Sequence, residues 1–496
     1  MTKGYEMARA LILAAAVSLA IACGPSTVGA QPTPPPPSFQ SSGNQAFDEW
    51  RDDFARRAVQ RGRDPAVLAR LLSGITPDER VIELDQRQPE FVSPVWDYVG
   101  NRVTERRIGD GLNLKSAIRP TLEAVEQRYG VPTGIILGIW GLESNYGEAP
   151  LNYDAAAALA TLAYEGRRRQ QFEGYLLALA EMVERNLADQ EQLRSSWAGA
   201  LGQPQFMPDV YLTTAVDWDQ DGHRDIWTNR GDVAASIGNY LQDRGWRRGE
   251  PVFDEVRLPD GFDYSLADGT QRSIADWHQR GVRRIDGAEW PGETWALSSQ
   301  LFLPAGANGP ALMLHPNFSV IRRYNNSDRY ALVVALLARA FDGQSSTLVR
   351  DWPRAAGSLN REEILELQTL LNGLGYNSGN PDGLFGSATR GAVRSYQAAQ
   401  GLPADGFPTS ALLARVRQSA GVASSEPPRT PRGLGRGGIR ELQRLLNRLG
   451  YSAGRADGLI GARTRDAIRS FERAQGMEVR GRATDIVLER ARAATG

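Results

Sequence analysis

The sequence predicts a mainly helical α+β protein: one large helical part with a small β-containing insertion, then two small helical modules. Three observations carry this. Apolar residues recur at helical spacing over residues 47–119 and again over 121–188. Residues 251–321 change texture, to Gly/Pro-rich turns and short apolar runs such as Trp295-Ala296-Leu297 and Ala311-Leu312-Met313-Leu314. Beyond residue 359 the chain repeats itself at a shift of 75 residues.

At 496 residues the chain is too long for one ordinary core, and roughly two to four domains are expected. Lys and Arg number 57 against 58 Asp and Glu, a net charge of −1 that argues against a nucleic-acid protein. Hydrophobic residues make up 41%, as in soluble globular proteins. Cys23 stands alone, so no intramolecular disulfide can form.

Residues 1–30 read as a targeting segment. Lys3 and Arg9 precede an apolar run over 10–22, too short to span a bilayer and suited to a signal-peptide core. Met7 is an alternative start. Two processing sites compete: Ala20-Ile21-Ala22-Cys23, which would leave a lipidated Cys23, and Val28-Gly29-Ala30 before Gln31. A lone cysteine closing the apolar run favours lipidation, and Gly24 instead of Asp suggests, by analogy, outer-membrane sorting. Residues 31–46, with four prolines at 34–37, form an extended linker.

Helical faces follow, with Phe47, Trp50 and Phe54, then Val67, Leu68, Leu71 and Leu72, and Asp64-Pro65 as a helix start. Residues 121–128 form another helix, broken at Gly130-Val131-Pro132. The next starts near Thr133, carries Ile135, Ile136 and Ile139, and is expected to stop at Gly147. Glu143 ends its apolar stretch. A partly dehydrated carboxyl holds its proton nearer neutral pH, which a general acid requires. The plain alternative is a structural glutamate at a helix end. Residues 172–188 form a scaffold helix with Leu176, Leu177, Leu179, Ala180 and Val183 on one face. A helix over 233–241 and another over 330–341 follow, the latter opened by Tyr324, Asn325 and Tyr330.

Between these helices lies a loop with calcium-binding spacing. Asp217, Asp219, Asp221 and Asp225 occupy positions 1, 3, 5 and 9, with Gly222 at 6. His223 at 7 would offer its backbone carbonyl. Thr228 stands at 12, where Glu is usual. A solvated acidic turn is the alternative, but converging aspartates without a cation repel one another.

In the repeat, Glu366-Leu367-Gln368 recurs as Glu441-Leu442-Gln443 and Thr389-Arg390 as Thr464-Arg465. Asp382-Gly383-Leu384 recurs as Asp457-Gly458-Leu459. The copies span 359–419 and 437–495. The Pro-, Gly-, Ser- and Arg-rich linker 420–436 between them suggests modules that move independently. Arginines crowd the second copy (Arg444, Arg448, Arg463, Arg465, Arg469, Arg473), which suits acidic peptides or a solvated basic face.

Three stretches in this order resemble one family. They are Glu143 with Gly147; Ser-Trp-Ala-Gly-Ala-Leu-Gly-Gln-Pro-Gln-Phe-Met-Pro over 196–208; and Arg-Tyr-Asn-Asn-Ser-Asp-Arg-Tyr over 323–330. Over residues 47–353 the chain resembles the membrane-bound lytic transglycosylase B family, which cleaves peptidoglycan glycan strands. The resemblance implies a lysozyme-like helical catalytic domain with Glu143 as its acid. It implies substrate contacts at Tyr98, Ser196, Gln205, Phe206, Met207, Tyr240, Tyr324, Asn325 and Tyr330. Tyr98, Phe206 and Met207 read equally well as core residues. A longer metal loop in that family makes Asp232 the later ligand, beside Asp217, Asp219, Asp221 and His223, for a structural Ca²⁺; no organic cofactor is expected. The repeats resemble the peptidoglycan-binding domain 1 family of three-helix modules. A periplasmic monomer, tethered through Cys23 to the outer membrane or free, is the expectation that follows.

The chemistry narrows further. A hydrolysing glycosidase generally uses two carboxylates. Apart from the loop aspartates, no second acid stands near Glu143 in its own stretch or in the stretch over 196–208. By the resemblance, the C6 hydroxyl of muramic acid attacks C1 and leaves a 1,6-anhydro end, with Glu143 giving and then taking the proton. A water-using muramidase and a non-catalytic wall-binding scaffold remain as alternatives. A zinc amidase is disfavoured, because His223, His278 and His315 lack ligand spacing.

Overall fold

Several helices in this chain begin where a side chain can take up the first free N–H groups. In the computed structural model, which describes residues 35–86, 94–188, 190–354, 358–422, 433–475, 477 and 479–495, Asn44 accepts the Phe47 N–H at 3.1 Å and opens α1 (Gln45–Gln60). Asp64 accepts the Ala66 N–H at 2.7 Å, and with Pro65 it opens α2 (Pro65–Leu72). Then come α3 (Glu79–Gln86), α4 (Val95–Arg102), α5 (Glu105–Ala117), α6 (Arg119–Tyr129) and α7 (Thr133–Ser144). Strand β1 (Tyr153–Asp154) leads into α8 (Ala155–Glu165) and α9 (Arg169–Glu184), and β2 (Arg194–Ser195) into α10 (Pro208–Thr214) and α11 (Arg230–Asp243). The signal segment and Cys23 lie outside the described residues. No helix among the described residues is long and apolar enough to cross a membrane.

The described residues divide into two units. The first comprises the chain up to Asp85, Leu151–Thr213 and Asp221–Asp225. Its core takes Phe47, Trp50 and Phe54 from α1, Val67, Leu68, Leu71 and Leu72 from α2, and Phe172, Leu176 and Leu179 from α9. Glu173 is buried among them. It accepts the Trp50 indole N–H at 3.0 Å and two Arg57 N–H groups at 2.8 and 2.9 Å. Helix α9 ends at Glu184, short of the expected 188, because Asn186 adopts a left-handed φ of 54°. Its buried face uses Met182, not Val183.

The second unit comprises Gln86–Pro150, Thr214–Gln220 and Ile226–Gly496. Helix α6 closes on left-handed Gly130 (φ 72°), the break read in the sequence. Helix α7 is buried on almost every face, with Ile136, Leu137, Ile139 and Trp140 all at 0% exposure. It stops at Asn145 (φ 50°), two residues before the expected glycine. Asparagine is among the few side chains that tolerate this conformation.

The insertion is a five-stranded antiparallel sheet: β3 (Phe253–Arg257), β4 (Arg272–Ser273), β5 (Arg283–Arg284), β6 (Ser298–Phe302) and β7 (Ala311–Leu314), in order β4-β6-β7-β3-β5. α12 (Ile274–Gln279) covers it with Trp277 at 0% exposure. The Trp295-Ala296-Leu297 run is not a strand. The Leu297 N–H bonds the Thr294 carbonyl at 2.9 Å in a turn, and β6 starts after it. α13 (Pro316–Tyr324) and α14 (Asp328–Phe341) return the chain to the helical part.

Each repeat is three helices: α15 (Arg361–Gly373), α16 (Ser387–Ala399) and α17 (Ser410–Ser419), then α18 (Arg436–Arg448), α19 (Ala462–Ala474) and α20 (Asp485–Ala494). The repeated residues make the same bonds. Gln368 donates to Asp382 at 3.0 Å and Thr389 at 2.9 Å; Gln443 donates to Asp457 at 3.3 Å and Thr464 at 3.1 Å. The first copy is also seated on the insertion. Arg394 donates to the Ala267 carbonyl at 2.6 Å, and Asp405 accepts the Ala307 N–H at 2.8 Å. The residue matching Asp405 in the second copy is Arg480, which cannot accept that bond. Linker residues 423–432 lie outside the described residues.

Candidate active site

Glu143 sits on the last turn of α7, half-buried. What fixes it there is the close approach of α7 and α14. A Cβ on Gly134 would stand 2.9 Å from the Ala338 carbonyl oxygen, and one on Gly138 would stand 2.9 Å from that of Val334. Only glycine permits such contact. The next pair along this seam is Glu143 and Tyr330. The Tyr330 hydroxyl donates to Glu143 Oε1 at 2.7 Å.

The turn behind Glu143 is clamped. Asn145 and Tyr146 are both left-handed, at φ 50° and 61°. Strain of this kind costs roughly 1–3 kcal/mol per residue and persists only where neighbours enforce it. Tyr146 folds back to donate to the Arg107 carbonyl at 2.9 Å, while Arg107 Nε donates to the Gly141 carbonyl at 3.1 Å. Beyond an Asn-Tyr-Gly turn, nothing in the neighbouring residues signals this clamp.

Tyr324 and Asn325 do not open the helix expected over 330–341. Tyr324 ends α13, Asn325 is extended, and Ser327 caps α14 by accepting the Tyr330 N–H at 3.3 Å. Tyr324 meets Tyr240 of α11 edge to face, with centroids 4.7 Å apart. The Tyr240 hydroxyl donates to the Arg323 carbonyl at 2.5 Å. Tyr98 of α4 is buried beneath the Arg102 guanidinium, 3.6 Å from its ring centroid. Burial, then the Glu143 charge, pushes the phenols of Tyr324 and Tyr330 well above the usual tyrosine range. Both therefore remain hydrogen-bond donors at any physiological pH. The second unit thus gathers Glu143, Tyr240, Tyr324 and Tyr330, with Tyr98 and Asn325 on an adjoining cavity.

Ser196, Gln205, Phe206 and Met207 belong to the first unit. The Ser196 N–H bonds the Ala200 carbonyl at 2.9 Å, and its hydroxyl accepts the Ala200 N–H at 3.3 Å. Gly199 (φ 80°) is required between them, since a Cβ there would overlap Leu159. Gln205 holds a left-handed φ of 54° and donates to the Gly202 carbonyl at 2.8 Å. Phe206 is 2% exposed, a core position, whereas Met207 is half-buried.

In the acidic loop, Asp217, Asp219 and Asp221 each bring one carboxylate oxygen within 4.8 Å of the others. Such crowding of like charge fits an oxygen-seeking divalent cation. Asp232 is not one of the three. It is buried at the start of α11, where it accepts the Trp218 N–H at 2.8 Å. His223 is exposed, and its N–H bonds Asp221 at 2.8 Å. A further buried chain was not foreseen: Ser299 to His315 Nδ1 at 2.8 Å, and His315 Nε2 to Asp254 at 2.9 Å. Ser299 and His315 are buried, so this chain braces the insertion.

Residues 46–339 match the family described as transglycosylase SLT domain. Residues 360–416 and 435–490 each match the peptidoglycan binding domain family. Membrane-bound lytic murein transglycosylase B of Escherichia coli (strain K12) is 32% identical over 320 residues, 61% of this chain and 85% of that protein. SltB3 from Pseudomonas aeruginosa, solved in complex with NAG-NAM-pentapeptide, is 42% identical with a TM-score of 0.72, covering 75% of this chain and 100% of that one. Escherichia coli Slt35, solved in complex with calcium, is 29% identical with a TM-score of 0.51, covering 60% and 93%.

Proposed function

This chain belongs to the transglycosylase SLT domain family, and from that premise we infer a peptidoglycan lytic transglycosylase with a mostly helical, lysozyme-like catalytic fold. It cleaves the β-1,4 bond between N-acetylmuramic acid and N-acetylglucosamine and leaves a 1,6-anhydromuramic end, in wall remodelling or turnover. The observation that supports Glu143 as its acid is the Tyr330 hydroxyl on Oε1. On this reading Glu143 protonates the departing glycosidic oxygen as the C1–O bond breaks. The carboxylate then takes the C6 hydroxyl proton as the C6 oxygen bonds C1, so no water is consumed. Tyr98, Tyr240, Tyr324, Asn325 and Tyr330 position sugar and acid, and Ser196, Gln205 and Met207 contact sugar, while buried Phe206 packs behind them.

The division of labour follows: residues 47–353 catalyse, and 359–419 and 437–495 hold peptidoglycan. The acidic loop carries a structural Ca²⁺ on Asp217, Asp219 and Asp221, supported by their crowded carboxylates and by the calcium complex of Slt35. Asp232 and the His223 carbonyl are the weaker ligands. The enzyme is periplasmic, and the cysteine that closes its apolar leader carries a lipid; Cys23→Ala then releases it from the membrane fraction. The protein acts as a monomer.

Mass spectrometry of fragments from purified sacculi tests the activity. Anhydromuramyl ends are expected from the wild type, and none from Glu143→Gln, which keeps the shape but cannot exchange a proton. Loss of at least 10²–10⁴-fold is expected for a general acid–base group. Reducing ends from the wild type would instead identify a muramidase.

A further inference from the structure

Beyond Tyr98 and Asn325 the second unit encloses a cavity of about 250 Å³. Its far wall is the first module, which contributes Phe385, Arg390 and Phe407; Arg329, beside Tyr330, lines the near side. The Arg390 guanidinium lies 4.7 Å from the centroid of the Phe385 ring, a contact that holds a cation without hydrating it.

Burial, then the charge of Arg394, lowers Arg390 to about 10, against the opposing pull of Asp328 and Asp405. Burial lowers Arg329 as well. Asp328 is already engaged by Arg322 at 3.1 Å. Arg322 and Arg361 line the cavity too, but Arg322 is paired with Asp328 and Arg361 donates to the Asp382 carbonyl. At neutral pH Arg390 and Arg329 remain charged although burial strips part of their water.

The repeat shows that the module does not need this arginine to fold. Arg465, its counterpart 75 residues on, is exposed in the second copy. In the first copy the same position faces the cavity beside the candidate active site. In a stem-bearing strand the sugars are N-acetylated and each lactyl carboxyl is tied up as an amide, so the negative charge lies on the carboxylates of the peptide stems. A guanidinium fork matches a carboxylate in shape and charge.

We propose that this cavity is a carboxylate subsite for the peptide stem, with Arg390 and Arg329 as its cations, so that the first module helps choose the substrate. The proposal rests on the transglycosylase reading above. It is tested with the full chain on three glycan substrates: stem-bearing, the same strands freed of stems by an amidase and then capped as methylamides at the exposed lactyl carboxylates, and strands whose stem carboxylates are converted to carboxamides.

Arg390→Gln is expected to raise KM on stem-bearing glycan about tenfold or more, the range for losing one charged hydrogen bond, with kcat unchanged. Its KM on stem-free glycan should match the wild type, and Arg390→Lys should recover part of the loss. Amidation should penalise the wild type but leave Arg390→Gln indifferent. Equal effects of Arg390→Gln on all three substrates, or an equal amidation penalty in both proteins, overturns the subsite. A wild type that makes no anhydromuramyl product from any of them refutes the enzymatic reading instead.

Discussion

Tyr330 and Glu143 come from segments 187 residues apart in the chain, yet the phenol reaches the carboxylate at 2.7 Å. Removing that hydroxyl without changing ring volume isolates its role. Tyr330→Phe is expected to lower kcat by roughly tenfold to a hundredfold, the equivalent of one charge-assisted hydrogen bond. Affinity for sacculi should hold and the products should still carry anhydro ends. An unchanged kcat would mean that Tyr330 is packing only.

The α7–α14 seam predicts a stability effect far from any charge. Gly138→Ala places a methyl 2.9 Å from the Val334 carbonyl oxygen, and overpacking of this sort costs roughly 1–3 kcal/mol. Because the same seam aligns Glu143 with Tyr330, activity should fall too. Gly174, on α9, meets nothing within 4 Å, so Gly174→Ala should stabilise by roughly 0.5–1 kcal/mol. Denaturant titration of both variants compares the two; equal effects would contradict the seam.

Acid should weaken the first unit through Glu173. Burial opposes its charge, but the Arg57 and Trp50 hydrogen bonds outweigh it and hold the carboxyl below the ordinary glutamate value of 4.5. A folded-state pKa below the unfolded one adds stability that is present above the unfolded pKa and lost as pH falls through the folded one. Glu173→Gln should cost roughly 1.5–3 kcal/mol at neutral pH, and the gap to the wild type should close in acid. Melting curves from neutral pH to below the carboxylate range measure this. A gap that is constant with pH sinks the account.

Calcium should raise the melting temperature in proportion to its occupancy, since a ligand selective for the folded state stabilises by mass action. A chelator should reverse the gain, and Asp219→Ala should abolish the response. Calcium-insensitive melting of the wild type would leave the loop a solvated acidic turn.

The sequence by itself determined the elements that rest on local rules. Asp64-Pro65 opens a helix because a carboxylate accepts a free N–H and proline needs none. The Gly130-Val131-Pro132 break follows from what glycine and proline do to a backbone, and the duplication is visible residue against residue. Its own stretch left Glu143 open to a structural reading; the ordered motifs over 196–208 and 323–330 singled it out by resemblance.

Tertiary structure decided what depends on contacts distant in sequence. That Asn145, not Gly147, ends α7 reflects Tyr146 reaching back to Arg107, 39 residues away. That Tyr324 ends one helix while Ser327 starts the next reflects their different packing partners, and no periodicity records that. The two modules look alike in sequence, yet Asp405 and Arg394 seat the first on the insertion. Local backbone preference is written in neighbouring residues, whereas close approach between segments is set by which surfaces the whole chain buries together.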